Sequence, residues 1–122
     1  RLDKSQEHFP KEEKNINTIR EFNFLVEQYF RTKHTVAEYA ELLFKSPKTI
    51  SNIFSKAGSK TPLSYIQDRK MLEARRLLHH TELQIQEVAA KIGYDDIQSF
   101  SRFFKKQEGV SPTKYRENSL LG

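Results

Sequence analysis

The 122-residue sequence contains no cysteine and no tryptophan, and only one methionine. Without cysteine it can form no disulfide, no thiolate zinc site and no cysteine nucleophile. It has only four glycines and four prolines, so we expect long regular elements joined by short turns. No run of 18 apolar residues occurs, which excludes a transmembrane helix. These absences favour a small helical protein without a disulfide framework.

The first residues, Arg1 to Lys4, include neither an initiator methionine nor the apolar stretch of a signal peptide. We therefore interpret the chain as a piece of a longer protein. Its length suits one domain or two very small ones. Apolar residues make up 36% of the chain, which suffices for a small core, and the 11% of aromatic residues are unlike a disordered composition.

The net charge of +5 is unevenly distributed. Residues 1–31 hold six basic and six acidic side chains, so they are neutral overall. Two short windows, Lys45–Lys60 and Ser99–Arg116, carry +4 each. Two separate basic windows suggest an anionic partner that is bound at two places, and nucleic acid is the first candidate. The other interpretation is a solvated charged surface.

Apolar residues recur at helical spacing and never in sustained alternation, so the chain is predicted to be all-α with about seven helices. Residues 1–15 are polar and are interpreted as a linker or tail. The first helix is expected from Thr18 to Arg31, with Asn17 as its cap. Thr35 and Glu38 form a capping box that opens a helix to about Leu43. Two further helices are predicted to start at Ser46-Pro47 and stop at Gly58, and to start at Thr61-Pro62 and run to about His80. The next helix covers Ile85–Ile92 and is ended by Gly93. The last two run from Asp96, capped by Asp95, to about Gln107, with Gly109 ending the helix, and from Ser111-Pro112 through Tyr115.

The chain repeats itself weakly at a period of about fifty residues. Each copy has a helix-turn-helix layout followed by a helix that starts at proline. Gly93 supplies the turn of the second copy, whereas the first copy has Phe44 there, so we expect the first turn to differ. The matching positions are Val36, Glu38, Ala40 and Leu43 with Ile85, Glu87, Ala89 and Ile92; Ile50, Ser51, Ile53, Phe54 and Lys56 with Phe100, Ser101, Phe103, Phe104 and Lys106; and Thr61, Pro62 and Tyr65 with Ser111, Pro112 and Tyr115.

The second helix of each copy has one apolar and one polar face. The apolar side chains, expected to pack in the core, are Ile50, Ile53 and Phe54 in the first copy and Phe100, Phe103 and Phe104 in the second. The polar side chains that face outward or lie on the flanks are Lys48, Thr49, Ser51, Asn52, Ser55 and Lys56, and Gln98, Ser99, Ser101, Arg102, Lys105 and Lys106.

The polar faces have the chemistry that a major groove requires. Arg pairs with guanine, and Asn or Gln pairs with adenine. The capped helix starts at Thr35, Ser46, Gln84 and Asp95 also present backbone N–H groups to phosphates. The helix between the copies, Leu63 to His80, has 18 residues and a length of roughly 27 Å. Adjacent major grooves lie about 34 Å apart, so one monomer is expected to span two of them.

The residues from Gly93 to Arg116, GYDDIQSFSRFFKKQEGVSPTKYR, resemble the C-terminal signature of the AraC/XylS family of bacterial transcription regulators. The first copy, with AEYAELLFKSPKTISNIF, is also similar. Ile97, Ser99 and Gln84 depart from the usual residue types of the family. The resemblance implies two homeodomain-like helix-turn-helix subdomains joined by a long central helix. It places a DNA-binding domain over residues 16–119, with units at about 17–60 and 82–118 and the linker helix at about 62–80.

The resemblance also implies the function, which is sequence-specific binding of double-stranded DNA by two recognition helices in adjacent major grooves, and transcription regulation. The expected location is the bacterial cytoplasm, in association with the nucleoid. The family's N-terminal effector or dimerisation domain is expected in a part of the protein outside this sequence, and RNA polymerase is a further candidate partner. Base-reading roles fall on Lys48, Ser51, Asn52, Gln98, Ser99 and Arg102. Contacts to the DNA backbone fall on Thr35, Ser46, Thr49, Ser55, Lys56, Lys105 and Lys106.

An enzyme is not expected. The four histidines, His8, His34, His79 and His80, have no spacing typical of a metal site or a catalytic triad, and no glycine-rich phosphate loop is present. We therefore assign no catalytic residue, metal, cofactor or membrane partner. The alternative from another class is a helical protein-interaction module whose basic faces bind an acidic partner.

Overall fold

The computed structural model describes residues 11–121, and this part of the chain is all-α, as predicted, with seven helices. The helices are α1 (Lys11–Tyr29), α2 (Val36–Leu42), α3 (Pro47–Lys56), α4 (Pro62–His80), α5 (Ile85–Ile92), α6 (Ile97–Glu108) and α7 (Pro112–Leu121). The helix-turn-helix pairs are α2–α3 and α5–α6, where the repeat predicted them.

The start of the first helix was predicted too late. Residues 1–10 of the expected linker lie outside the described residues, but residues 11–15 are already helical. The run from Lys11 to Lys14 consists of good helix formers, and Glu12 and Glu13 in the first turn interact favourably with the helix dipole. A mixed charge run was therefore mistaken for a linker, although it is the first turn of α1.

The described chain forms two compact units whose boundary lies inside α4. Ile66 belongs to the first unit and Gln67 to the second, which also takes Phe30–Thr32 from the end of the α1 region. The long helix that the sequence predicted as a linker is thus shared between the units, because each unit packs its own part of α4 into its core.

The first unit is built around a cluster of aromatic rings. Phe22 of α1, Tyr39 of α2 and Phe54 of α3 are at most 1% exposed. The Phe22 ring centroid lies 5.3 Å from that of Tyr39 and 5.1 Å from that of Phe54. Such tilted and edge-on pairs stabilise a core beyond the burial of their area. This cluster fixes α3 on α1 and α2, and so determines which side of α3 faces outward.

The second unit buries a mostly aliphatic core. The apolar side predicted for α6 is confirmed at Phe100 and Phe104, which are fully buried, whereas Phe103 is only partly buried. In the first unit the same holds for Ile50 and Phe54, with Ile53 half-buried. The core of the second unit is formed by Met71, Ala74, Leu77, Leu78, Val88, Ala89, Ile92, Phe100 and Phe104.

The predicted repeat is confirmed in the internal geometry of the units. The Phe54 and Tyr65 rings are 5.4 Å apart at 75°, and the Phe104 and Tyr115 rings are 5.5 Å apart at 73°. Each tyrosine comes from the helix that starts at proline. The two sequence copies therefore build the same packing of their second and third helices.

The first turn differs from the second in length, as expected, because the N-cap Ser46 follows Phe44 by two residues and the N-cap Asp96 follows Gly93 by three. The two turns nevertheless begin in the same way. Phe44 has a φ of 57° and Gly93 a φ of 100°, so both adopt the left-handed conformation. The hydrogen bonds also match, since Lys45 N–H donates to Ala40 O and Tyr94 N–H to Ala89 O, each at 3.0 Å. Packing of α2 against α3 imposes this turn, although a non-glycine residue there costs roughly 1–2 kcal/mol.

Two further helix ends differ from the predictions. The N-cap of α6 is Asp96 and not Asp95, because the side chain of Asp96 accepts the Ser99 N–H. Helix α7 continues from Pro112 to Leu121, well past Tyr115. The stop of helix α3 at Gly58 is confirmed, because α3 ends at Lys56 with Ala57 as its C-cap, and Gly58 follows in the left-handed conformation with a φ of 71°. The starts at Ser46-Pro47 and Pro62 and the end at Gly93 are confirmed.

Two charged side chains of α4 are buried in the second unit. Lys70 is 5% exposed, and its Nζ lies 4.6 Å from the Tyr94 ring centroid and 4.4 Å from that of Phe103. Burial lowers the pKa of Lys70 to about 8. Glu73 is 6% exposed and accepts hydrogen bonds from Arg76 and Arg31. These bonds, chiefly those from Arg76, lower the pKa of Glu73 to about 2.

Candidate nucleic-acid interface

Helix α3 presents an uninterrupted polar face to solvent. Lys48, Ser51 and Asn52 are exposed, as are Thr49, Ser55 and Lys56 on the flanks. Ile50 and Phe54 on the other side are buried. The aromatic cluster of the first unit thus holds all the predicted contact residues of α3 on one accessible surface.

The N-terminus of α3 keeps a hydroxyl donor available. Ser46 Oγ accepts the Thr49 N–H at 3.1 Å and donates to Thr49 Oγ1 at 2.9 Å. The Ser46 hydroxyl is therefore occupied by capping, whereas the Thr49 hydroxyl accepts from Ser46, and this bond does not use the proton of Thr49. Since Thr49 is exposed, it can donate to a phosphate oxygen.

Two residues outside the predicted site border this face. Lys14 and Asn15 of α1 line the same groove as Thr49, Asn52 and Lys56. The sequence predicts both to lie in the linker, because Lys14 belongs to a mixed charge run. The only signal was the helix-forming character of that run, and the groove itself arises from the packing of α1 on α3.

Helix α6 presents the second polar face. Gln98, Arg102, Lys105 and Lys106 are exposed. Ser99 is half-buried, and its hydroxyl donates to Asp96 Oδ2 at 3.2 Å. The Ser99 N–H and then its hydroxyl lower the pKa of Asp96. Ser99 Oγ can therefore serve only as an acceptor, for example for the amino group of adenine or cytosine.

Thr35 is placed differently from the other predicted backbone contacts. Its N–H and its hydroxyl both donate to Glu38 Oε1, each at 3.0 Å. The backbone N–H groups of His34 and Thr35 lower the pKa of Glu38, so this carboxylate is ionised at neutral pH. Both donors of Thr35 are directed at a negative charge and not at solvent.

One cation of the second basic window is not available to a partner. The Arg116 Nε donates to Leu78 O at 2.9 Å, and its Nη2 lies 3.4 Å from Thr81 O. Arg116 thus binds the last carbonyls of α4, which carry the negative end of the helix dipole. Lys114, two residues earlier, is exposed.

Two further features of the described residues bear on other kinds of function. No helix within residues 11–121 is long and apolar enough to cross a membrane. In the same part of the chain, no three His, Asp or Glu side chains come together as a metal site.

Comparison with known proteins relates this geometry to a family. A family model described as a helix-turn-helix domain matches residues 39–118. The transcriptional regulator AlkR of Acinetobacter baylyi is 35% identical over 85 residues, which are 70% of this chain and 28% of AlkR. The arabinose operon regulatory protein of Escherichia coli is 31% identical over 101 residues, 82% of this chain and 35% of that protein. The chain spans about a third or less of the length of these curated relatives.

Solved structures give the same result. The C-terminal domain of the response regulator yesN of Fusobacterium nucleatum is 29% identical with a TM-score of 0.74, and the match covers 82% of this chain and 98% of that one. The DNA-binding domain of AdpA, solved in complex with a target DNA, is 26% identical with a TM-score of 0.64, over 78% of this chain and 85% of AdpA's. With two helix-turn-helix pairs in a repeat and matches to regulators rather than enzymes, the chain belongs to the AraC family of DNA-binding transcription regulators.

Proposed function

We propose that the chain binds double-stranded DNA in a sequence-specific manner by inserting α3 and α6 into two adjacent major grooves. The observation that carries this proposal is the exposure, on the second helix of each unit, of a polar face rich in lysine, arginine and amides. The N-terminal part of such a helix contacts base edges in helix-turn-helix proteins. The length of α4, 19 residues or roughly 28 Å, is compatible with a groove spacing of about 34 Å.

The proposed base-reading residues are Lys48, Ser51, Asn52, Gln98, Ser99 and Arg102. The exposure of all but Ser99 supports the assignment, and Ser99 is half-buried with its hydroxyl donating to Asp96. Among the proposed backbone contacts, Thr49, Ser55, Lys56, Lys105 and Lys106 are exposed donors, and Ser46 supports Thr49 through its cap. Thr35 is the least favoured member of this set, because its donors are directed at Glu38.

We further propose that the chain is the DNA-binding part, residues 16–119, of a larger regulator. The match covers 28% of AlkR and 35% of the arabinose operon regulatory protein. Most of the length of each relative therefore lies outside the match, which supports this proposal. An N-terminal effector or dimerisation domain, contact with RNA polymerase, and a nucleoid-associated location in the bacterial cytoplasm follow as parts of the same proposal. The alternative of an acidic protein partner is not favoured, because the matched relatives are transcription regulators.

The proposal can be tested by selecting binding sites from random duplexes and comparing two variants. Arg102→Ala should weaken binding to the selected site by about 1–3 kcal/mol and relax the preference at one base pair, because a bidentate contact to guanine is lost. Lys106→Ala should weaken binding to every sequence similarly and reduce the salt slope by about one, because one phosphate contact is lost. Equal losses of Arg102→Ala on selected and random DNA would contradict its base-reading role.

The two-groove mechanism has its own test. The selected site should contain two half-sites about one helical turn apart. Inserting 5 base pairs between them places the half-sites on opposite faces of the duplex. Binding should then fall to the affinity of a single half-site, and unchanged affinity would show that only one unit engages the DNA.

A further inference from the structure

Phe44 combines two unfavourable features at one position. It is 96% exposed, more than any other large apolar side chain in the described part of the chain. It is also the one non-glycine residue with positive φ among residues 11–121. Strained residues of this kind persist where the surrounding structure imposes them, and they cluster at binding sites.

The second unit shows that the fold does not require an aromatic side chain here. Gly93 occupies the matching position with the same left-handed conformation and the same hydrogen bond from the next residue to the buried alanine of the preceding helix. Because the Phe44 ring is almost fully exposed, it contributes almost no packing to the first unit. Neither folding nor packing therefore accounts for the ring, and its exposed surface is accessible to a partner.

The residues around Phe44 indicate which partner the ring would contact. It lies two residues before Ser46, the N-cap of α3, and immediately before Lys45, which is exposed together with Lys48. From Lys45 to Lys60 the chain contains four lysines and no acidic residue. Since the N-terminal residues of a recognition helix point into the groove, the turn just before them borders the groove wall, where phosphates alternate with sugars.

We propose that the Phe44 ring packs against the deoxyribose of the DNA backbone at the edge of the groove entered by α3. The flanking lysines bind the neighbouring phosphates. This inference rests on the proposed function and adds to it a backbone contact that is apolar rather than ionic. Deoxyribose is present in every DNA sequence. Phe44 would therefore contribute to affinity and to the position of α3 in the groove, but not to base preference.

The test uses variants that separate the ring from the turn. Phe44→Gly and Phe44→Asn remove the ring and fit the left-handed turn better, so both should melt a few degrees higher than the parent. Both should bind selected and random duplexes about three to ten times more weakly, because an apolar contact is lost. The slope of log K against log salt should not change, since no phosphate contact is lost. Phe44→Tyr keeps the ring and should bind as the parent does.

Two controls make the result specific. Phe24→Ala removes an aromatic side chain that is 63% exposed on α1, outside the proposed interface, and should leave DNA affinity unchanged. Lys45→Ala should lower the salt slope by about one. The inference is overturned if Phe44→Gly and Phe44→Asn bind random duplexes as tightly as the parent, or if their loss depends on one base pair. If the parent bound no duplex DNA at all, the proposed function itself would fail, and this inference with it.

Discussion

Single residues of α4 illustrate how burial changes the chemistry of a charged group. The Lys70 ammonium lies between the rings of Tyr94 and Phe103 and has lost most of its hydration. The ring faces attract the cation, but desolvation is the larger effect and lowers the pKa of Lys70 to about 8, from its ordinary 10.5. The unfolded chain therefore binds a proton more tightly at this residue than the folded chain does.

This shift predicts a pH dependence of stability. Because the folded pKa is depressed, the free energy of unfolding should rise as the pH increases from 8 to 10, by about 2 kcal/mol. Above pH 10 the raised pKa values of Tyr94 and Tyr39 act in the opposite direction, since unfolded tyrosines ionise first. Urea unfolding at each pH measures the effect. The rise in the free energy of unfolding should disappear in Lys70→Met. It should persist in Lys91→Met, which replaces an exposed lysine of α5. A parent protein whose free energy of unfolding does not rise between pH 8 and 10 would contradict the prediction.

At the residue scale, the sequence predicted which side chains face outward but not what they bind within the protein. The helical phase of the apolar residues was sufficient to place Lys48, Asn52, Gln98 and Arg102 on the surface. The same reasoning failed for Arg116, which was counted in a basic patch although it binds backbone carbonyls of α4. Residues 38 positions apart become neighbours only when the second unit packs, so no local pattern contains this information.

At the scale of elements, Arg116 connects the last helix to the end of the longest one. Its guanidinium binds the carbonyl of Leu78 in the last turn of α4 and that of Thr81 just beyond the helix. Arg116→Ala should destabilise the second unit by about 1.5–3 kcal/mol, because charged hydrogen bonds are lost and carbonyls are left unpaired. Chemical denaturation can measure this, with Lys114→Ala as a control on the same helix. Equal stability of the two variants would contradict the capping role.

Helix boundaries were predicted well where a cap or a proline marks them. The starts of α2, α3, α4 and α7 follow hydroxyl side chains, and α3, α4 and α7 begin with proline. The start of α1 was missed because charged residues without a cap resemble a linker. The left-handed conformation of Phe44 was missed because the residue's own preference opposes it, and only the packing of α2 on α3 overrides that preference.

At the scale of the whole molecule, each unit has its own core. Phe104 is fully buried and its ring contacts those of Phe100 and Tyr115. Phe104→Ala should destabilise the second unit by roughly 3–5 kcal/mol through lost burial and a residual cavity. Hydrogen exchange should accelerate in α5–α7 first, and α2 and α3 provide an internal reference. Gln107→Ala, on the surface of the same helix, should have little effect. A Phe104→Ala chain that unfolds like the parent would contradict its place in the core.

The sequence by itself determined the all-α fold, the helix-turn-helix repeat and the polar faces of α3 and α6. These follow from local physics, because helical periodicity, proline and hydroxyl caps, and the clustering of lysines act over a few residues. Only the tertiary structure decided that Lys14 and Asn15 border the face of α3, that Arg116 caps α4, and that Phe44 is held in a left-handed turn with its ring in solvent. Each of these depends on groups brought together from different helices, and the energy of packing those helices outweighs the preferences of the single residues.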